Sequence, residues 1–227
     1  MTKTAAPMTS GSIWKQMTFF AMPIFLGNLF QQLYNTVDSL IVGNFLGSSA
    51  LAAVSSSGSL IFMLIGFLSG ISAGAGVIVA RFFGAGDEKN LQRAVHTTVA
   101  FGLVAGVLMT GVGVALSPQI LRWMDTPESV MRESVTYLQI YFAGSLGFVM
   151  YNVLVGILQA VGDSRHPLYY LIVSSVINLV LDLLFITGFH TGVGGAAVAT
   201  VISQIVSALL CFWQLLRTKE SYGFKIR

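Results

Sequence analysis

The stretch Leu168–Phe189, LYYLIVSSVINLVLDLLFITGF, decides the fold. As a helix it crosses roughly 30 Å of hydrocarbon, yet it carries Asp182 with no basic residue beside it in sequence. An ionised acid at the centre of a membrane helix costs about 2.5–3.5 kcal/mol on insertion scales, so such a residue faces a bundle interior or a wet cavity. Ser174, Asn178 and Asp182 recur at four-residue steps and share one helix face. Outward from this span, five more apolar segments are predicted at 15–44, 51–82, 92–117, 133–161 and 193–217. The 227-residue chain is 55% hydrophobic and 9% charged, with a mean hydropathy of +0.79. Soluble domains carry about 25% charged residues, so the reading is all-α, a polytopic six-transmembrane-helix bundle. The predicted organisation is a cytoplasmic tail over 1–14, the membrane bundle over 15–217, and a cytoplasmic segment over 218–227.

The net charge of +3 sits in short loops and tails and forms no nucleic-acid patch. Lys3, Lys15, Arg81, Lys89, Arg93, Arg165, Arg217, Lys219, Lys225 and Arg227 fall on one side of a six-span topology, and Arg122 and Arg132 on the other. Positive-inside asymmetry then predicts an integral membrane protein with both termini in the cytoplasm. Trp14, Trp123 and Trp213 lie at span ends, where an interfacial belt belongs. The polar first residues lead into an apolar run without a small-residue cleavage site, which predicts no cleaved signal peptide. Cys211 is the single cysteine, so no internal disulfide is expected. Gly66, Gly70 and Gly74 on the second span, and Gly102 and Gly106 on the third, have the small-xxx-small spacing of close helix packing. Pro167 suits the first turn of the fifth helix. Pro23 interrupts the first span and removes a backbone hydrogen bond there.

Asn28, Gln31, Asn35 and Asp38 share a face of the first span, and Thr200, Gln204 and Ser207 a face of the sixth. Lipid cannot satisfy such stripes, so they point at one another or at water. At 1.5 Å per residue, Asp38, Asp182 and Thr200 all fall roughly 10 Å below the outer interface. The coincidence predicts one shared site. A pair of carboxyls there would hold a proton or bind a hard cation such as Na+, with Asn178 and Thr200 supplying neutral oxygens. Loss of charge on binding is the physical basis of an ion-coupled transporter. No other cofactor is expected.

Asn178-Leu-Val-Leu-Asp182, followed by Gly192-Val-Gly-Gly-Ala-Ala-Val-Ala-Thr200-Val-Ile-Ser-Gln204, resembles the fifth and sixth helices of the MATE (multidrug and toxic compound extrusion) transporters. Pro23 through Asp38-Ser-Leu-Ile-Val-Gly-Asn-Phe-Leu-Gly47 resembles their first helix, and Gly84-Ala-Gly-Asp87 and Gly162-Asp163 their cytoplasmic turns. The resemblance covers nearly the whole chain. It implies an inner-membrane antiporter that expels cationic or amphipathic small molecules against entry of H+ or Na+. The Asn-x-x-x-Asp pattern implies the DinF-type branch, with its cation site in the amino-terminal lobe. Carried over residue by residue, Asp38, Asn178, Asp182 and Thr200 match that site (the metal ligands if Na+ couples), with Asn152 a supporting asparagine. Gln31, Tyr34, Asn35 and Gln204 are candidates for the substrate pathway, and Pro23 matches a proline at which the first helix bends. The family has twelve helices in two lobes and this chain has six, so it resembles one lobe. It would then be a fragment, a truncated product, or a half-transporter acting as a homodimer.

Two other readings compete. A lipid or lipid-linked oligosaccharide flippase shares this architecture but calls for a cationic cavity, and these spans hold interior acids. A non-transporting membrane scaffold would tolerate Asp38→Asn and Asp182→Asn with little change beyond stability. An enzyme is not expected, since no Walker or zinc-ligand spacing is present. His96, His166 and His190 fall at span ends, where loop solvation accounts for them. Tyr34, Tyr137, Tyr141 and Tyr151 are aromatic candidates for a cation pathway, with packing or lipid faces the simpler role.

Overall fold

A computed structural model describes residues 12–218 and 221–224. Most of the predicted 1–14 tail, Lys3, Lys219, Lys225 and Arg227 lie outside the described residues. The helices are α1 (Ile13–Leu46), α2 (Ser48–Gly84), α3 (Glu88–Trp123), α4 (Glu128–Ala143), α5 (Ser145–Ala160), α6 (Arg165–Leu183) and α7 (Gly192–Arg217), with a π-helical turn at Leu184–Gly188. α2, α3, α7, and α6 together with its π turn are each long and apolar enough to cross a membrane, and the bent pair α4–α5 makes a fifth such span. α1 is 34 residues long. It is not among these spans, so four or five of the six predicted crossings are long and apolar enough among the described residues.

The predicted fourth span, 133–161, is a broken helix rather than a straight one. α4 and α5 meet at 51° around Gly144. A β-carbon on Gly144 would lie 2.3 Å from Val201 Cγ1, so α7 presses directly against the break. Gly102 and Gly106 do pack closely: a β-carbon on Gly106 would lie 2.6 Å from Leu146 Cδ1. The expectation for the second span is corrected. Gly66, Gly70 and Gly74 are exposed, and nothing lies within 4 Å of a β-carbon placed on them. Their spacing permits close approach, but no helix of this chain occupies the face.

α3 packs on α4 and α5, α6 on α7, and α1 leans on α6 and α2. One apolar cluster, containing Val95, Val153, Leu158 and Leu215, ties α2, α3, α5 and α7 together. A second joins Ile41, Val42, Tyr137, Ile186, Val193 and Ala197. Its α1 members and Ile186 of the π turn lie just beyond Asp38 and Asp182 along the chain, so this layer caps the two acids at that end of the bundle. Pro23 sits within α1, which continues as one helix on both sides of it.

Candidate ion-coupling site

Asp38 reaches the interior from α1 and Asp182 from α6, and their carboxyls lie within hydrogen-bonding range of each other. Asp182 and Asn178 are buried, as is Ser174 one turn further along the same face. With its amide oriented to suit its neighbours, Asn178 donates from nitrogen to Asp182 Oδ2 at 2.7 Å. Its oxygen accepts from the Tyr34 hydroxyl at 3.3 Å and from the Thr200 backbone N–H at 3.1 Å. Thr200 donates from Oγ1 to Ala196 O at 3.0 Å, and its side chain is within hydrogen-bonding reach of the Tyr34 hydroxyl. Tyr34 precedes Asp38 by one helical turn, so α1 contributes two polar groups from one face.

Asp38 Oδ1 and Asp182 Oδ1 are buried without a hydrogen-bond partner. Two carboxyls can hydrogen-bond only when one carries a proton; otherwise a cation must offset their mutual repulsion. The orphaned oxygens, the Asn178 amide and the Thr200 hydroxyl are hard donors suited to Na+. The donor set therefore accommodates either ion.

Two of the aromatic pathway candidates, not placed at the ion site by the sequence, also border it. Tyr137 and Tyr141 of α4 are buried, stack at a centroid distance of 6.5 Å, and Tyr137 lies within electrostatic reach of both acids. Their four-residue spacing on α4 puts them on one face without saying what that face meets. Of the four tyrosines considered in the sequence, Tyr34, Tyr137 and Tyr141 therefore gather here. Tyr151 belongs with the apolar cluster between α3, α5 and α7.

Several predicted residues stand apart from the hydrogen-bonded cluster. The Asn152 amide donates to Phe148 O of its own helix at 2.9 Å, and its backbone carbonyl accepts from Ser72 Oγ at 2.7 Å. Asn35 is exposed, with its amide 3.5 Å from Gln32 Oε1. Asn28 is also exposed and Gln31 is half-buried. Gln204 is half-buried one turn past Thr200, with Oε1 buried and unpartnered. Of the histidines, His166 Nδ1 pairs with Asp163 Oδ2 at 2.6 Å while its side chain stays 41% exposed, and the His96 ring lies 4.3 Å from that of Phe224, tilted by 30°. Among the described residues, no three His, Cys, Asp or Glu side chains gather as a metal site.

Residues 23–184 match the MatE family model. The chain is 37% identical over 217 residues to "Probable multidrug resistance protein YoeA" of Bacillus subtilis (strain 168), covering 94% of this chain and 47% of that protein. It is 28% identical over 201 residues to "DNA damage-inducible protein F" of Escherichia coli (strain K12), covering 86% of this chain and 43% of that one. A solved outward-facing MATE family transporter of the MOP superfamily superposes with a TM-score of 0.90 at 27% identity, over 100% of this chain and 50% of that one. The chain thus spans about half the length of the curated relatives it matches. Because the family model takes in both acids and most of the bundle that joins them, the chain belongs to the MatE family of membrane transporters.

Proposed function

We propose that this chain is one lobe of a cation-coupled antiporter that exports amphipathic or cationic small molecules. H+ or Na+ exchanges at the Asp38–Asp182 pair. The observation that supports this most directly is the meeting of two carboxyls from separate helices in a buried polar cluster, with one oxygen of each left unpartnered. Asn178 and Thr200 serve as neutral ligands or hydrogen-bond partners. Gln31, Tyr34, Asn35 and Gln204 line the substrate route, Asn152 supports the site from α5, and Pro23 is the point at which α1 bends. The Asn-x-x-x-Asp pattern on α6 supports a DinF-type assignment. Charge asymmetry supports an inner-membrane protein with cytoplasmic termini. Residues 15–217 form the lobe, 1–14 its tail and 218–227 the lead into a connecting segment, with a second lobe or a second copy completing the transporter. The absence of Lys and Arg from the cluster disfavours a lipid-phosphate flippase.

Coupling requires the ion and the substrate to weaken each other's binding by the same factor. In proteoliposomes holding the full transporter, lowering external pH or adding Na+ is expected to reduce substrate affinity in wild type but not in Asp38→Asn. Equal ion dependence in both proteins would rule the site out.

A further inference from the structure

At the positively charged end of the bundle, the chain folds back on itself after α7. The Phe224 backbone N–H donates to Leu215 O at 3.0 Å. Gln92 Nε2 on α3 donates to two main-chain carbonyls of this return, Ser221 O at 2.5 Å and Gly223 O at 2.8 Å. The Phe224 ring lies 4.3 Å from the His96 ring and 5.5 Å from that of Phe212, and the Tyr222 ring meets Phe83 edge-on at 5.9 Å. Tyr222 is 5% exposed and Gly223 is buried. Chain segments beyond a last helix are ordinarily mobile unless tied down. Here a side-chain amide satisfies two carbonyls while two rings fill the gap between the ends of α2, α3 and α7. His96 is itself aimed by an Nδ1–H bond to Gln92 O at 2.7 Å, so the two receiving side chains are set by one turn of α3.

We propose that Ser221–Phe224 is a latch that locks the end of α7 to the α2–α3 turn. The chain then leaves the lobe from Phe224 rather than from Arg217. The latch thereby ties the ends of α2, α3 and α7 into one unit. The two carbonyl bonds from Gln92 hold the backbone, and Phe224 supplies the packing.

Hydrogen–deuterium exchange on the chain in lipid nanodiscs tests this without substrate or coupling ion, so it stands or falls independently of the transport reading. The peptide covering Ser221–Phe224 is expected to be protected in wild type. Gln92→Ala removes both carbonyl bonds and should speed its exchange by about tenfold to a hundredfold, with peptides around Asn178 and Thr200 unchanged. Phe224→Ala should do the same, and Phe224→Trp should retain protection. Free exchange of this segment in wild type, or protection unaltered by Gln92→Ala, would overturn the latch.

Discussion

Gly144→Ala tests whether the break in the fourth span positions the site. A β-carbon at residue 144 would lie 2.3, 2.4 and 2.8 Å from Val201 Cγ1, Cγ2 and Cβ. Non-bonded carbons prefer about 3.5–4.0 Å, so α7 and the break must part by about an ångström or more. Val201 is β-branched and holds one strongly preferred rotamer in a helix, which closes the easy escape. Overpacking of this kind costs about 1–3 kcal/mol. Val201 follows Thr200, whose backbone N–H sits 3.1 Å from the Asn178 oxygen. Moving it out by an ångström breaks that bond, which adds about 1 kcal/mol. The variant should therefore lose about 2–4 kcal/mol of stability and weaken coupling-ion binding. Thermal unfolding and ion-dependent transport in proteoliposomes read the two effects. Adding Val201→Ala removes two of the three clashing atoms and should restore most of the loss. Gly66→Ala, with open space around it, should be neutral or gain up to about 1 kcal/mol from helix propensity. The reasoning fails if Gly144→Ala is as stable as wild type, or if Val201→Ala brings no recovery.

Asn178→Leu strips Asp182 Oδ2 of its donor and should cost about 1–3 kcal/mol. Adding Tyr34→Phe should cost less than the two single losses summed, because both side chains belong to one network; a double-mutant cycle by chemical unfolding measures the difference. Cys211 is fully buried, so a maleimide should label it only as the bundle unfolds, with labelling and unfolding midpoints coinciding. Backbone and side-chain hydrogen bonds from Asn90 hold the Asp87 carboxyl below the usual carboxylate range. Its contribution to the first turn of α3 is therefore complete above about pH 3.9, the free carboxylate value. It disappears as pH falls through the lower folded value. Amide exchange at Leu91 should show that acid-side loss in wild type and lack it in Asp87→Ala.

Asp38, Asn178, Asp182 and Thr200 were legible as neighbours because each lies at a computable depth on a helix of fixed rise, and depth survives errors of several residues in helix ends. Tyr137 and Tyr141 were not, because an aromatic pair at four-residue spacing serves lipid, core and site equally well. The fourth span also turns by 51° at Gly144. That turn was hidden too. Residues 133–161 read as one apolar run, and the side chain packed against the bend, Val201, is far away in sequence. Asn152 shows the converse: its family match is local, whereas its amide is claimed by Phe148 O of its own helix.

The glycine stripe of α2 and the polar stripe of α1 share one physical explanation. Gly66, Gly70 and Gly74 have nothing against them, and Asn28, Asn35 and Thr36 are exposed on a helix that also exposes Leu33 and Val37. Ser39, Ser55, Gly58 and Ser59 line an open groove between these same two helices. Periodicity reports that a residue avoids lipid, but it says nothing of whether the cover comes from the same chain. Hydrocarbon cannot satisfy the Asn28 and Asn35 amides, and the groove mixes the hydroxyls of Ser39, Ser55 and Ser59 with the apolar side chains of Val54 and Phe62. This side of α1 and α2 is therefore polar and apolar by turns, with Leu33, Val37 and Phe62 exposed beside the amides and serines. Asp38 sits between the two environments, with its carboxyl in the buried cluster and the neighbouring turn of its own helix on the open face. If the proposed coupling operates at that carboxyl, a change of its charge acts first on α1, the helix that this groove borders.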